Sequence, residues 1–270
     1  MPDEMLSSKL VSLKKGISEK ESAIIAFSGG VDSSVLAYLA HDELGDNAVA
    51  VTVNLQSFPE RELKCAIKVA EEMGIIHRTV DYDELQVPLI SENGPKRCYY
   101  CKKEILKVLD TVRQELGFNV IIEGSNVSDL AVYRPGRQAI DEAMHVVHSP
   151  FIEFSINKRE IREIAGELGL SVADKKPFPC LASRFPYGVP LTKHSIERVE
   201  KAEDFLIRLG LHELRVRDHS GIARIEISCE DMPLLLGMRE DIVPYLLNLG
   251  FNYVALDLQG FRSGSMDEVL

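Results

Sequence analysis

AIIAFSGGVDSSVLAYLAHDEL, residues 23–44, joins an apolar run to a glycine-containing loop and then to a helical pattern. The run at 23–27 is continuous and contains β-branched residues, which is typical of a strand buried on both faces. Apolar side chains then recur at helical spacing: Val35, Leu36, Leu39 and Ala40. The stretch therefore predicts a buried strand, a tight loop and a helix that ends near Gly45.

The same order of elements continues outward along the first part of the chain. Apolar or β-branched runs predict strands at 48–53, 75–81 and 119–124. Amphipathic patterns at 61–74 and 101–117 predict helices between them. This alternation predicts an α/β, Rossmann-like domain with a parallel sheet, in which ligands bind at the carboxyl ends of the strands.

The pattern changes in the last third of the chain. Turn-forming residues at 185–194 precede a long amphipathic helix at 196–210. Two alternating strands joined by a Ser-Gly turn follow in 212–228, and a third strand lies in 253–261. These elements predict a second, smaller α+β domain.

The length of 270 residues suits two hydrophobic cores. We expect residues 1–182 to form the α/β domain and residues 183–270 to form the smaller domain, which would serve substrate binding and oligomerisation in a homo-oligomer. The N-terminal segment has no apolar run long enough for a signal peptide or a membrane span. A cytoplasmic protein without a membrane partner is therefore expected.

The formal net charge is −11. Proteins that bind nucleic acid through its phosphates are usually basic in at least one domain, so a nucleic-acid partner is disfavoured. Basic residues occur here in small clusters such as 96–103, which suits a small phosphorylated ligand. A solvated surface is the alternative interpretation of each cluster.

The loop SGGVDSS, residues 28–34, has the composition of a phosphate-binding nest. Gly29 and Gly30 permit a tight turn whose N–H groups point into one concavity, and the next helix adds its positive N-terminal end. Three hydroxyl groups can donate to phosphate: Ser28, Ser33 and Ser34. Asp32 fits beside phosphates if it meets Mg²⁺ or orients the loop. A polar turn with a helix cap is the alternative.

In this strand–loop–helix setting, SGGVDSS resembles the PP-loop of the N-type ATP pyrophosphatases. Members of that superfamily adenylate a substrate oxygen and release pyrophosphate, so the resemblance implies ATP and Mg²⁺ as ligands and Asp32 as a catalytic residue. The implied nucleotide-binding residues come from this loop and from the later segment EGSN: Ser28, Gly29, Gly30, Val31, Asp32, Ser33, Ser34, Gly124 and Asn126.

Four further segments narrow the resemblance: EGSNVSDLAVYRPG (123–136), PCLASRFPYG (179–188), RVR (215–217) and LDLQGFRSGSM (256–266). Together they resemble the LarE family, the ATP-dependent sulfur transferases that make the nickel-pincer cofactor. The family pattern carries acidic residues where this chain has Ser128 and Val132, while Asp129 matches it.

The resemblance implies a two-step reaction. ATP adenylates a carboxylate of pyridinium biscarboxylate mononucleotide, pyrophosphate leaves, and sulfur then displaces AMP to give a thiocarboxylate. Three arginines are assigned to the substrate phosphate: Arg184, Arg215 and Arg217. Because side chains two apart on a strand share a face, Arg215 and Arg217 can clamp a phosphate together. An exposed face of an edge strand is the alternative for this pair.

KRCYYCKKE, residues 96–104, places Cys98 and Cys101 between cationic side chains. The chain has five cysteines, an odd number that is too small for a disulfide framework. In many members of the resembled family, the cysteine that matches Cys180 gives up its own sulfur and becomes dehydroalanine in a single turnover. The other two cysteines are predicted to be structural: Cys65 and Cys229.

With Cys180, the pair offers three thiolates, which can hold a 4Fe–4S cluster and leave one iron open for an exchangeable sulfide. Related tRNA thiolases of the PP-loop superfamily use this arrangement. We therefore predict Cys98, Cys101 and Cys180 as metal ligands and catalytic residues. Sacrificial or persulfide chemistry at Cys180, a thioredoxin-like couple and a zinc site are the alternatives; zinc would need a fourth ligand, for which His145 and His194 are candidates.

The expected partners are the mononucleotide substrate and a sulfur donor, either sulfide or a donor protein. A tRNA thiolase with the same loop and cluster is the rival function, which the net charge of −11 disfavours. A non-catalytic nucleotide- or metal-binding module is the third interpretation, for which an intact loop and three cysteines would be superfluous.

Overall fold

The computed structural model describes residues 4–131, 135–262 and 264. The chain separates into two compact units. Unit 1 comprises Met1–Asp83 and Cys98–Phe178, and unit 2 comprises Glu84–Arg97 and Pro179–Leu270. In the described part of the chain, no helix is long and apolar enough to cross a membrane.

Strands and helices alternate through the first part of the chain, as predicted. The described helices, in chain order, are α1 (Glu4–Ser18), α2 (Val31–Leu44), α3 (Glu60–Met73), α4 (Pro88–Ser91), α5 (Arg97–Leu116), α6 (Gly136–Glu142), α7 (Pro150–Glu153), α8 (Lys158–Glu167), α9 (Lys193–Arg208), α10 (Met232–Gly237) and α11 (Arg239–Asn248). The described strands are β1 (Ala23–Ala26), β2 (Ala48–Leu55), β3 (Ile76–Tyr82), β4 (Val120–Ile122), β5 (Val147–His148), β6 (Leu214–His219), β7 (Ile222–Ile227) and β8 (Tyr253–Leu256).

Unit 1 is built on a five-stranded sheet in the order β3-β2-β1-β4-β5. Its pairings are all parallel, which confirms the predicted α/β, Rossmann-like fold. β1 is central, and Ile25 near its carboxyl end pairs with Ile122 of β4. The loops that follow β1 and β4 therefore leave the sheet side by side, where ligands bind in parallel sheets.

The apolar run of β1 serves two cores because successive side chains of a strand point to opposite faces. Ile24 belongs to one buried cluster with Leu109 of α5. Ile25 belongs to the other, with Leu36 of α2 and Ile161 of α8. Helices therefore cover the sheet on both faces, and the continuous apolar pattern at 23–27 follows from this burial.

Unit 2 contains a three-stranded sheet in the order β6-β7-β8. β6 and β7 form an antiparallel hairpin, and β8 pairs with β7 in parallel. Ser220 and Gly221 join the hairpin with φ values of 53° and 94°, the positive values that tight hairpin turns favour. This second small sheet confirms the α+β pattern predicted for the C-terminal region.

Two parts of the chain differ from the sequence-based expectation. β5 is two residues long, which is too short to show the alternation of apolar and polar residues by which a strand is predicted. The segment Glu84–Arg97 groups with unit 2, and the break near the predicted boundary at 182 lies after Phe178. Asn93 explains the grouping, since its Nδ2 donates to the carbonyl of Pro186 at 2.9 Å.

Candidate active site

The loop after β1 closely approaches helix α3. Gly29 has a φ of 67°, a left-handed conformation that favours glycine. A Cβ at this position would lie 2.6 Å from the Cα of Ala66, closer than non-bonded carbon atoms approach one another. The loop can therefore follow this path only with glycine at position 29.

Hydroxyl groups hold the loop against the first turn of α2. Ser33 Oγ donates to the Gly30 carbonyl at 3.1 Å and lies 3.2 Å from Ser28 Oγ. The N-cap residue of α2, Gly30, supplies no side-chain cap, and the helix then begins at the buried Val31. Its positive N-terminal end therefore faces the loop. Ser34 Oγ is buried and has no partner in the part of the chain that the structure describes.

Asp32 forms an ion pair that links the loop to α8. Its Oδ2 accepts a hydrogen bond from Lys158 Nζ at 2.5 Å, and Asn126 Nδ2 donates to its Oδ1 at 3.4 Å. The arrangement puts a cation beside the loop after β1. It also supplies a carboxylate, the kind of ligand that Mg²⁺ prefers in proteins.

Sequence reasoning did not identify Lys158, which lies 126 residues from Asp32 along the chain. The local signal near it is a capping box in which Asn157 and Glu160 satisfy each other's backbone N–H groups. A capping box predicts where a helix begins. It says nothing about what the first residue of that helix faces.

The loop after β4 packs against the loop after β1. A Cβ at Gly124 would lie 3.2 Å from the backbone nitrogen of Ser33 and 3.2 Å from the Cβ of Asp32. Asn126 is buried and, as described above, reaches Asp32. The structure therefore brings the two predicted residues of the EGSN segment to the predicted phosphate loop.

Asp129 supports the backbone of this second loop. Its Oδ2 accepts from the N–H of Asn126 at 3.1 Å, while Asn126 Oδ1 accepts from the N–H of Ser128 at 2.9 Å. These bonds form a local turn that does not depend on an acidic side chain at Ser128. Val132, the other departure from the family pattern, lies outside the described residues.

Cys98 and Cys101 lie in the first turns of α5, which begins earlier than predicted. Both are half-buried, and residues three apart on a helix share a face. Arg97, directly before them, is buried and donates to the carbonyl of Ala182 at 3.0 Å. The chain before Cys98 is therefore bound to the turn that follows Cys180.

Cys180 is half-buried and precedes a 3-10 turn at Leu181–Arg184. Arg184 is 0% exposed, and its Nε and Nη2 donate to Glu203 at 2.8 and 3.0 Å. Its Nη1 lies 3.1 Å from the carbonyl oxygen of Pro179 and 3.4 Å from that of Cys180. The guanidinium thus holds the Cys180 turn from inside, and the phosphate-binding role predicted for it finds no support in these surroundings.

Arg215 and Arg217 lie on β6, and neither is on an exposed face, since they are 7% and 2% exposed. Arg217 Nε donates to Glu226 at 2.5 Å. Arg215 Nη1 donates to the carbonyl of Arg262 at 3.3 Å, and its guanidinium lies 4.8 Å from the centre of the Phe261 ring. The alternative of an exposed edge-strand face therefore does not hold for this pair.

The buried arginines influence one another electrostatically. Burial, together with the positive charges of Arg184 and Arg217, lowers the pKa of Arg215 to about 10, while Glu226 and Glu203 oppose the shift. Arg215 still carries its charge at neutral pH. Burial is the largest cause of this shift, so the lowered pKa reports mainly the removal of the guanidinium from water, and a bound anion would favour its charged form.

Among residues 4–131, 135–262 and 264, no group of three or more His, Cys, Asp or Glu side chains is arranged to hold a metal ion. Cys98 and Cys101 belong to unit 1, and Cys180 belongs to unit 2. In number and kind, these three thiols match a 4Fe–4S cluster with one open iron. The described side chains do not form that ligand group.

The sequence is similar to known proteins, both in the segment around the loop after β1 and over almost its full length. The family of the queuosine biosynthesis protein QueC matches residues 22–93, which include the loop after β1. A pyridinium-3,5-bisthiocarboxylic acid mononucleotide synthase of Lactiplantibacillus plantarum is 36% identical over 266 residues, which cover 98% of this chain and 96% of that protein.

Two further relatives mark the range of the similarity. An uncharacterized protein of Synechocystis sp. is 42% identical over 271 residues, which cover 98% of this chain and 99% of that protein. A tRNA-specific 2-thiouridylase of Brucella canis is 29% identical over 197 residues, or 60% of this chain and 49% of that protein.

Proposed function

Since the chain belongs to the LarE family of the PP-loop superfamily, together with the synthase of Lactiplantibacillus plantarum, we propose that it is an ATP-dependent sulfur transferase. It adenylates a carboxylate of pyridinium biscarboxylate mononucleotide and replaces an oxygen with sulfur. The products are AMP, pyrophosphate and the thiocarboxylate of the nickel-pincer cofactor. The observation that carries this proposal is the phosphate nest after β1 with the Asp32–Lys158 pair beside it.

Adenylation fits the residues of the nest. A carboxylate becomes an acyl donor only when one of its oxygens is part of a good leaving group. In this step the carboxylate oxygen attacks the α-phosphorus of Mg-ATP, and pyrophosphate leaves with the electron pair of the broken P–O bond. The N-terminal end of α2 and Lys158 stabilise the negative charge on the leaving pyrophosphate. Asp32 binds the Mg²⁺ of the nucleotide or orients Lys158.

Sulfur transfer completes the reaction when a sulfur nucleophile attacks the acyl carbon and AMP leaves. We assign Cys98, Cys101 and Cys180 to this step as the three protein ligands of a 4Fe–4S cluster. Such a cluster, when bound, supplies an exchangeable sulfide on its open iron. The hydrogen bond from Arg97 to the Ala182 carbonyl supports the assignment, since it attaches the chain before Cys98 to the turn after Cys180. Sacrificial transfer of the Cys180 sulfur is the alternative.

The substrate phosphate is assigned to Arg215 and Arg217, and the repulsion that Arg215 experiences from Arg184 and Arg217 supports the proposal. Arg215→Gln should raise the KM for the mononucleotide about 10- to 150-fold, as expected for the loss of about 1.5–3 kcal/mol from a charge-assisted hydrogen bond. The same substitution should change the KM for the nucleoside, which lacks the phosphate, much less. Arg208→Gln, at an exposed position of α9, is the matched control. Equal losses with both substrates would remove the phosphate assignment.

The remaining parts of the proposal concern the setting of the enzyme. The sulfur source is sulfide or a donor protein, the chain forms a homo-oligomer, and it works in the cytoplasm. Five cysteines among 270 residues, two of them in a Cys-x-x-Cys pair, suit a reducing compartment.

The test is an anaerobic assay with the purified protein, Mg-ATP, sulfide and the biscarboxylate mononucleotide. We expect equimolar AMP and pyrophosphate, formed only when the mononucleotide is present, and a product whose mass shows one oxygen replaced by sulfur. A parallel reaction replaces the mononucleotide with unmodified tRNA. Thiolation of the tRNA and an unchanged mononucleotide would favour the rival function of a tRNA thiolase. The similarity to a tRNA-specific 2-thiouridylase is the reason for this parallel reaction.

A further inference from the structure

Lys175 contacts the carbonyl side of the phosphate loop. Its Nζ donates to the Gly29 carbonyl at 3.0 Å, to Cys65 Sγ at 3.0 Å and to Glu62 Oε2 at 2.8 Å. An ammonium group has three N–H donors, so each of them has an acceptor here. The side chain is 19% exposed. This contact joins the loop after β1 to α3 and to a segment 146 residues away.

The charge of Lys175 is maintained by this environment. Burial alone would lower its pKa, and it is the largest single influence. The hydrogen bonds to Glu62 and Cys65 and the negative charge of Glu62 outweigh burial, so the pKa of Lys175 is raised above its ordinary value. The residue is therefore a cation throughout the physiological pH range.

The chain around Lys175 is also attached to two helices, α8 and α3. Arg162 of α8 donates to the carbonyl of Ala173 at 2.5 Å and to the carbonyl of Lys175 at 2.9 Å. Arg61 of α3 places its guanidinium 3.9 Å from the centre of the Phe178 ring. Residues 173–178 thus form a segment that is bound at both ends, with Lys175 between them. We call it the 173–178 segment.

This segment runs directly into Cys180. Five residues of extended chain span at most about 17 Å, so the position of Lys175 limits where Cys180 can lie. A carbonyl and an ammonium are held together by a directional bond. If phosphate groups in the nest shift the Gly29 carbonyl, the hydrogen bond to Lys175 gives that shift a route into the 173–178 segment.

We propose that Lys175 is a positioning residue for sulfur transfer: it couples nucleotide binding in the loop after β1 to the segment that precedes Cys180. The inference rests on the proposed function in assigning Mg-ATP to the loop and sulfur transfer to Cys180. It adds a residue that neither the phosphate nest nor the cysteines include. Lys175 touches no reacting atom and acts through the Gly29 carbonyl and the chain that follows it.

Hydrogen–deuterium exchange of the peptide spanning residues 173–180 tests the coupling without requiring turnover. In the wild-type protein, Mg-ATP should slow exchange in this peptide. In Lys175→Met the slowing should disappear, although Mg-ATP still binds, as measured by calorimetry. Lys175→Arg, which keeps the cation, should restore part of the effect. Lys68→Met removes an exposed lysine of α3 that pairs with Glu72 and should behave like the wild type.

Two results would overturn the coupling. One is a wild-type peptide whose exchange does not respond to bound Mg-ATP. The other is an equal response in the wild type and in Lys175→Met. If Lys175→Met fails to fold, Glu62→Gln supplies the readout, since it weakens the same network while leaving the lysine in place. Exchange in Glu62→Gln should then respond less to Mg-ATP than in the wild type, and an undiminished response would contradict the proposal.

Turnover separates this inference from the proposed function. In the wild type, thiocarboxylate and pyrophosphate should form in equal amounts. In Lys175→Met the ratio of thiocarboxylate to pyrophosphate should fall about tenfold, the change expected from the loss of one hydrogen bond to a charged group. A merely structural lysine would lower both products together. A wild-type protein that shows the exchange response but makes no thiocarboxylate would contradict the proposed function and not the coupling.

Discussion

Asp32 and Lys158 show how the candidate site depends on single charged residues. Asp32 is bound by the ammonium of Lys158 and approached by the amide of Asn126. Deep inside unit 2, Arg184 and Glu203 form a fully buried pair. Removing one partner of a buried ion pair leaves the other charge without compensation. A substitution at Asp32 should therefore lower the activity, whereas a substitution at Arg184 should lower the free energy of unfolding.

Asp32→Asn should abolish ATP-dependent pyrophosphate release while the protein stays folded. The amide cannot bind Mg²⁺ as a carboxylate does or hold Lys158 as an ion pair, so we expect a loss of at least about 100-fold. The rate is measured with a pyrophosphate-coupled assay, and folding by circular dichroism. Asp42→Asn on the exposed side of α2, where the residue pairs with Lys14, is the matched control. Normal pyrophosphate release by Asp32→Asn would remove the adenylation mechanism.

Arg184→Met should lower the free energy of unfolding by about 3–5 kcal/mol, because Glu203 would remain buried without its cation. Urea denaturation followed by circular dichroism measures this change. Arg239→Met removes an exposed arginine that pairs with Glu240 and should cost less than about 1 kcal/mol. If Arg184→Met unfolds like the wild type and instead loses affinity for the mononucleotide, the result would favour the phosphate role predicted for Arg184.

At the scale of elements, the site depends on how the carboxyl end of β1 is held. The Oγ1 of Thr52, a buried residue of β2, donates to the carbonyl of Phe27 at 2.9 Å. Because a hydroxyl has one hydrogen, it accepts from Nε2 of His77 on β3, 2.8 Å away. Three parallel strands are thus linked directly before the phosphate loop begins.

His77 makes this link sensitive to acid. Burial lowers the pKa of His77 below its ordinary value of 6.5, although the charge of Glu71 opposes the shift. Between the folded-state and unfolded-state pKa values, the unfolded chain binds more protons. Stability therefore falls as the pH drops below 6.5, by at most about 1.4 kcal/mol per pH unit for this one residue.

His77→Gln should reduce that acid sensitivity, since glutamine keeps an N–H donor for Thr52 but does not titrate. Urea denaturation at pH 7.5 and at pH values below 6.5 measures the difference. His145→Gln, at an exposed position, should leave the pH dependence of the wild type unchanged. An unaltered slope in His77→Gln would show that His77 does not contribute to the acid response.

At the scale of the whole molecule, the proposed chemistry draws on both units. Unit 1 contains the phosphate nest and Cys98, and unit 2 contains Cys180 and the buried arginines. The chain passes between the units directly before Cys98 and again after Phe178, two residues before Cys180. The cysteines assigned to sulfur transfer therefore lie at or near the points where the chain leaves one unit for the other.

Single alanine substitutions distinguish a cluster from sacrificial transfer. If a 4Fe–4S cluster is bound by three cysteines, then Cys98→Ala, Cys101→Ala and Cys180→Ala should each lose iron and sulfur transfer to a similar degree, because each leaves two ligands. Iron and labile sulfide are measured after anaerobic purification, with a visible spectrum. Cys229→Ala, at an exposed cysteine, should keep both.

The sacrificial alternative predicts a different pattern. Only Cys180→Ala would be inactive, and the wild-type protein would lose the mass of one sulfur after one turnover. A zinc site would give a colourless protein with stoichiometric zinc and retained chemistry at Cys180. One turnover by the Cys98→Ala/Cys101→Ala double variant would rule out the cluster mechanism.

The sequence was sufficient for the features that depend on neighbouring residues. The strand–loop–helix unit at 23–44 and the hairpin at 214–227 follow from periodicity and turn composition, and both are present in the structure. The nest of SGGVDSS is also contiguous, so its residues could be named without coordinates. Gly29 illustrates the limit, since its left-handed backbone was foreseeable whereas its close approach to Ala66 was not.

Only the tertiary structure decided which distant side chains complete the site. Lys158 and Lys175 reach the phosphate loop across 126 and 146 residues, separations over which periodicity carries no information. Arg184 looked like a phosphate ligand in sequence, yet the structure encloses it completely beside Glu203. Local patterns report the period and composition of one segment. Burial and ion pairing depend on what the rest of the chain packs against that segment, and that is set by the assembled fold.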